Sequence, residues 1–243
     1  MHSDAASLSH SAPDPAMTAR LLAEALGSGF LIVAVIGSGI MAENLSPDDE
    51  GLQLLENAVA TAGALVALIL MFSTVSGAHF NPAVSLVDRL MGRLSNREFA
   101  AYVTAQLVGG CGGAIVTNIM FSDFDSVRGP IFLSAKSRDT AALLFSEVIA
   151  TVGLLLVIHG ALRHGRASMV AIAVGAWIGG AYFFTSSTSF ANPMVSIART
   201  LSDSFAGIAP SSAPGFLVMQ LIGSVLAFGL IRVLFTPLEG TDA

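Results

Sequence analysis

Two stretches of an otherwise apolar chain carry the side chains best suited to handling a polar solute: GAHFNPAVSL at residues 77–86 and SFANPMVSI at residues 189–197. Each places Asn directly before Pro, at Asn81-Pro82 and Asn192-Pro193. Asn is a favoured helix N-cap, and Pro is favoured at the first helical position, where its missing N–H costs nothing. Each pair therefore predicts a helix start. A helix N-terminus carries positive potential, and the Asn amide adds hydrogen-bond donors. Two such starts brought together would accept neutral solutes that bear hydroxyls and disfavour cations and protons. The preceding GAHF and TSFA stretches would expose carbonyls along a polar track. Other chemistry is sparse. Cys111, the only cysteine, sits in GGCGG, reads as a small packing residue and leaves no intrachain disulfide. There is no G-x-S-x-G elbow and no acid placed to orient His79 as a base. No catalytic residue, metal or cofactor is expected.

The elements that must position these stretches are membrane helices. Charged residues make up 12% of the 243 residues and hydrophobic ones 53%, where a soluble domain carries about 25% charged residues. The net charge of -6, with no basic stripe, gives no reason to expect nucleic acid. A spanning helix needs about 20 mostly apolar residues. Six segments qualify, at residues 18–41, 52–75, 98–121, 140–162, 167–188 and 214–236. Residues 1–17 and 237–243 read as polar tails, and the first lacks the pattern of a signal peptide. An even number of spans puts both tails on one side. That side would hold Arg20, Arg89, Arg93, Arg97, Arg163, Arg166 and Arg232, against Arg128, Lys136, Arg138 and Arg199 opposite, which favours cytoplasmic termini.

The two halves, 18–121 and 140–236, echo each other. Glu24 matches Glu147, Asn81-Pro82 matches Asn192-Pro193, and Gln106 matches Gln220, at offsets of 123, 111 and 114. Three spans per unit is an odd number, so the second unit must be inverted, an arrangement that builds transport sites at the bilayer midplane. The helices begun at Pro82 and Pro193 are too short to span. They are expected to enter from opposite faces and meet at the centre, within a single channel domain covering 18–236.

These residues together resemble the aquaporin or major intrinsic protein family, over residues 18–236. The resemblance implies an all-α membrane protein of six transmembrane helices and two re-entrant half-helices, with one pore per subunit, in a homotetramer surrounded by membrane lipid. It implies that Asn81 and Asn192 line the pore centre. The carbonyls of Gly77, Ala78 and His79, and of Thr188, Ser189 and Phe190, would form a polar ladder, with Glu24 and Glu147 bracing the two loops. A proton-relay role for the glutamates and a ligand or base role for His79 are the less favoured readings.

The family's narrowest point usually carries aromatic or histidine side chains and one arginine. Counted from the two Asn residues, the matching positions here are Thr61, Gly180, Ser189 and Val195. None is aromatic or charged, so the resemblance implies a wide filter that passes small polyols. Family members without this arginine are associated with metalloid efflux, and arsenous acid is uncharged near neutral pH. The expected function is a passive channel of the inner membrane for small uncharged solutes, favouring arsenous acid and small polyols as well as water. The alternatives are a general water and glycerol channel, or a proton-coupled secondary transporter. Arg199 lies one turn beyond Val195 on the same half-helix and would lean back toward the pore. The competing reading for it is an ion pair with Asp203.

Overall fold

The structure is a computed structural model and describes residues 15–163 and 167–235. Most of the two expected tails, and Arg166 of the cytoplasmic set, lie outside the described residues. The chain forms α1 (Met17–Leu45), α2 (Glu50–Ser76), α3 (Pro82–Leu90), α4 (Asn96–Met120), α5 (Ala141–Leu162), α6 (Ala167–Phe184), α7 (Pro193–Ala198) and α8 (Ala213–Leu234), with a 3₁₀ turn at Arg199–Leu201 after α7. Five of these, α1, α2, α4, α5 and α8, are long and apolar enough to cross a membrane, and α6 is a shorter apolar helix.

Local chemistry explains the boundaries. Asp49 caps α2 by accepting from the Leu52 N–H, and Gly77 ends that helix in the left-handed region at φ 85°. Ser95 and Glu98 form a reciprocal capping box on α4. Asn81 accepts from the Ala83 N–H, and Asn192 from those of Met194 and Val195, each with Pro in the first turn. The fifth span, α6, is expected from the sequence to reach residue 188. It stops at Phe184, where the run of Ser and Thr offers side-chain bonds that compete with helix: Ser186 Oγ bonds Ala142 O and Ser146 Oγ instead.

The packing repeats as the sequence does. α1 lies against α2 and α4 as α5 lies against α6 and α8, and α2 against α6 joins the halves. The α1–α4 contact is a backbone approach. A Cβ on Gly109 would fall into the Ala25 carbonyl, and one on Gly113 into that of Gly29. On the other side, a Cβ on Gly223 would lie 3.0 Å from the Val148 carbonyl. Cys111 stands on α4, half-buried instead of fully packed. Phe30, Val59, Val108, Ile149 and Val225 remain exposed on the outer faces, which suits helices whose solvent is lipid. The α4–α5 connection folds over one end, where Phe132 N–H bonds Leu201 O and Ser134 N–H bonds Thr200 O.

Candidate functional site: a cavity between two helix tips

α3 and α7 point their N-termini at each other. Asn81 Nδ2 donates to Ala191 O at 2.8 Å, and Asn192 Nδ2 donates to Phe80 O at 2.9 Å. Each capping oxygen is spent on its own helix and one amide hydrogen ties the opposite loop. The second amide hydrogen of each Asn remains, and both residues border a cavity of about 450 Å³.

The loops leading to these tips are forced into unusual backbone. Ala78, Phe80, Thr188, Ser189 and Ala191 have φ between 47° and 63°. Non-glycine residues there cost on the order of 1–3 kcal/mol each and persist only where surrounding contacts over-determine them. The glutamates provide those contacts. Glu24 accepts from the N–H groups of His79 and Phe80, from Ser76 Oγ and from Gln106 Nε2. Glu147 accepts from the N–H groups of Phe190 and Ala191, from Ser187 Oγ and from Gln220 Nε2. Each carboxylate is fully buried and takes four donors at 2.6–3.0 Å. The halves match atom for atom. Among the described residues no protein donor reaches the carbonyls of residues 77–79 or 188–190, and Gly77, Ala78, His79, Ser189 and Phe190 border the cavity. Thr188 does not border it. Leu31, Leu65, Ile69, Leu154 and Ile158 form an apolar wall of the same cavity.

At one end of the cavity stand Thr61, Ser189 and Val195, three of the four residues expected there. Gly180 is not with them. It is exposed on the outer face of α6, where an added Cβ would meet the Phe184 ring at 3.2 Å. Counting back from Asn192 fixes a sequence distance but not a helical phase. The cavity face of α6 runs Val174, Ile178, Tyr182, at i, i+4 and i+8, and Gly180 lies two residues, about 200°, from either neighbour. Tyr182 therefore occupies the place expected for a glycine. Its hydroxyl lies 3.1 Å from Thr61 Oγ1. Sequence reading missed it because the signal, a buried tyrosine in phase with Ile178, shows only once the inward face of α6 is known. Ser189 Oγ has no protein partner among the described residues.

Charge is also present here. Arg199 borders the cavity, 2% exposed. Its guanidinium carbon lies 3.5 Å from the centre of the Phe190 ring, and its Nε donates to Ala206 O. The alternative pair with Asp203 does not form, because Asp203 accepts from Ser134 Oγ and Ala135 N–H. Arg138, from the α4–α5 connection, sits 5.2 Å from the same ring and donates from Nε to Gly207 O. Outside them, Lys136 donates to Phe205 O and its ammonium lies 4.6 Å from the Phe205 ring. Desolvation there, with Arg138 and Arg199 nearby, pulls Lys136 down to about 8.

The other end holds Asp88 and Arg93. Asp88 Oδ2 is 3.1 Å from His79 Nε2, and Oδ1 is 3.1 Å from Arg93 Nη1. His79 Nδ1 lies 3.0 Å from Ser85 Oγ, which Gln106 Nε2 also reaches. Both ring nitrogens of His79 are thus held and tie its loop, and Asp88, seven residues after Asn81, is a neighbouring acid that the sequence reading did not expect. Among the described residues no cluster of three His, Cys, Asp or Glu could hold a metal ion.

Known proteins agree with this architecture. The profile of the family described as "Major intrinsic protein" matches residues 12–189. The "Aquaglyceroporin AqpS" of Rhizobium meliloti (strain 1021) is 46% identical over 221 residues, covering 91% of this chain and 92% of that protein. "Aquaporin NIP1-1" of Zea mays is 31% identical over 164 residues, covering 65% of this chain and 55% of that protein. In fold, the crystal structure of the aquaglyceroporin from Plasmodium falciparum superposes with a TM-score of 0.74 at 22% identity, covering 92% of this chain and 98% of that one. The chain belongs to the major intrinsic protein family, and it is a multi-pass membrane channel, not an enzyme.

Proposed function

We propose that this channel passes small uncharged solutes down their gradients, favouring small polyols and arsenous acid alongside water. The observation that carries the reading is the lining. A file of unpaired carbonyls and two Asn amides faces an apolar wall, so a solute with hydroxyls along one side trades its hydration for protein partners. At the far end the hydroxyls of Thr61, Tyr182 and Ser189 offer both donors and acceptors. A trihydroxy solute, whether glycerol or arsenous acid, matches that display. Tyr182 makes the opening narrower than four small side chains would, so selection there rests on hydroxyl matching as well as on width. The aquaglyceroporin name of the Rhizobium relative supports the polyol part of the reading.

In this reading Asn81 and Asn192 line the pore centre. Gly77, Ala78, His79, Ser189 and Phe190 carry the ladder, and Thr61, Tyr182, Ser189 and Val195 form the filter. Glu24 and Glu147 act as braces: with four donors each, neither carboxylate has a lone pair to spare for a relay. The channel assembles as a homotetramer in the inner membrane with cytoplasmic termini. Proteoliposome uptake of arsenous acid, glycerol and urea tests the proposal. Glycerol and arsenous acid should both enter faster than urea. Glycerol uptake without arsenous acid uptake would reduce the function to a water and glycerol channel.

A further inference from the structure

A charged residue stands seven positions after each capping Asn: Asp88 within α3, and Arg199 in the 3₁₀ turn that follows α7, just past the half-helix on which the sequence placed it. Both border the cavity, one at each end. Their surroundings differ. Asp88 is neutralised locally by Arg93 at 3.1 Å, with His79 also at 3.1 Å. Arg199 has no carboxylate within ion-pair distance among the described residues. The acid one turn on, Asp203, is turned to Ser134 and Ala135; Glu147, whose single negative charge Arg199 and Arg138 both feel at longer range, is held by the loop it braces, so two cations share one distant carboxylate. Arg138, the next cation inward from solvent, likewise bonds only backbone carbonyls, those of Gly207, Ser187 and Phe205.

A buried guanidinium without a counter-ion is costly unless other groups hold it. Here the face of Phe190 and the Ala206 carbonyl do so, and a cation over an aromatic face keeps its full charge. The ring is itself fixed, because the Phe190 N–H is held by Glu147 and the ring packs edge-on against Phe216 at 4.9 Å. The result is a rigid positive charge at the cavity wall. Val195, four residues earlier on α7, contributes none.

We propose that Arg199, seated on the Phe190 ring and reinforced by Arg138, is the charge filter of this pore, excluding cations at the end where Thr61 and Tyr182 narrow it. The proposal rests on the solute-channel reading above. The low-dielectric walls of the cavity focus the field of a charge that has no direct ion-pair partner, so a like charge is repelled more strongly than in bulk water, while a neutral polyol meets only a hydrogen-bond donor. The filter therefore discriminates by charge without closing the path to neutral solutes.

The experiment compares wild type, Arg199→Gln, Arg199→Lys and Val195→Glu in proteoliposomes, reading proton and sodium leak beside glycerol uptake. Arg199→Gln should raise the leak by about ten-fold or more, the effect of one unit charge over several ångströms at a protein's effective dielectric, with glycerol uptake within two-fold. Arg199→Lys keeps the charge and should keep the leak low. Val195→Glu leaves Arg199 and its ring in place but supplies a carboxylate at i−4, and should raise the leak as Arg199→Gln does. It keeps the proposal open to test if Arg199→Gln fails to assemble. An unchanged leak in an assembled Arg199→Gln or Val195→Glu channel would overturn the proposal, as would a leak in Arg199→Lys equal to that of Arg199→Gln. A wild-type protein that takes up no glycerol would instead refute the channel reading itself.

Discussion

At the scale of single residues, the account turns on which side chains meet a solute and which hold the backbone that does. Tyr182 and Gly180 separate the two cleanly. Tyr182→Phe removes one hydroxyl and keeps the bore, so glycerol flux relative to water should fall about five-fold, the size of one net hydrogen bond. Gly180→Ser, on the outer face beside Phe184, should leave that ratio unchanged in the same stopped-flow assay. The braces behave differently. Glu24→Gln and Glu147→Gln each turn an amide NH₂ toward backbone donors, leaving at least one buried N–H unpaired. Each should lower stability by about 3 kcal/mol and reduce water and glycerol flux together, measured as thermal aggregation of detergent-solubilised protein and as uptake. The Asn caps and the glutamates were legible in the sequence because repeated chemistry at repeated spacing has few physical causes. Tyr182 was not, since its role depends on the rotation of α6 and not on distance along the chain.

At the scale of elements, the boundaries follow caps that can be read directly: Asn-Pro at α3 and α7, Ser95 with Glu98 at α4, Gly77 after α2. Where no cap residue signals an end, as at the Ser and Thr run after Phe184, the apolar run overstated the helix. The G-x-x-x-G spacing of Gly109 and Gly113 marks a place where α4 meets another backbone. What spacing alone could not give was the partner, which is α1. Gly113→Leu must displace α1 at the Gly29 carbonyl and should cost about 3 kcal/mol, seen as loss of assembled protein on size-exclusion chromatography. Leu in place of Gly112, where a Cβ meets nothing within 4 Å, should assemble normally.

At the scale of the whole molecule, the inverted repeat explains why one pore has two similar approaches to its centre and dissimilar ends. The charges are where the halves diverge. One end is neutralised around Asp88, and the other carries Arg199, Arg138 and Lys136. The Lys136 ammonium, pulled down to about 8, is charged below that pH and neutral above it. The Arg199 end therefore loses positive charge as pH rises from 7 to 9, and cation leak should rise over the same interval. Lys136→Gln should remove the pH step and leave neutral-solute flux intact. The overall architecture was legible because hydropathy and the repeat both constrain it. The path of the α4–α5 connection over the Arg199 end was not, since it depends on backbone bonds to residues 200 and 201 far along the chain.

The central claim is passive conduction of uncharged solutes between Asn81 and Asn192. Its most direct measurement is glycerol flux into proteoliposomes, by stopped-flow light scattering, with and without an imposed proton gradient. The account predicts equilibration at equal internal and external glycerol, at the same rate under either condition. Accumulation of glycerol above the external concentration, driven by the proton gradient, would contradict it.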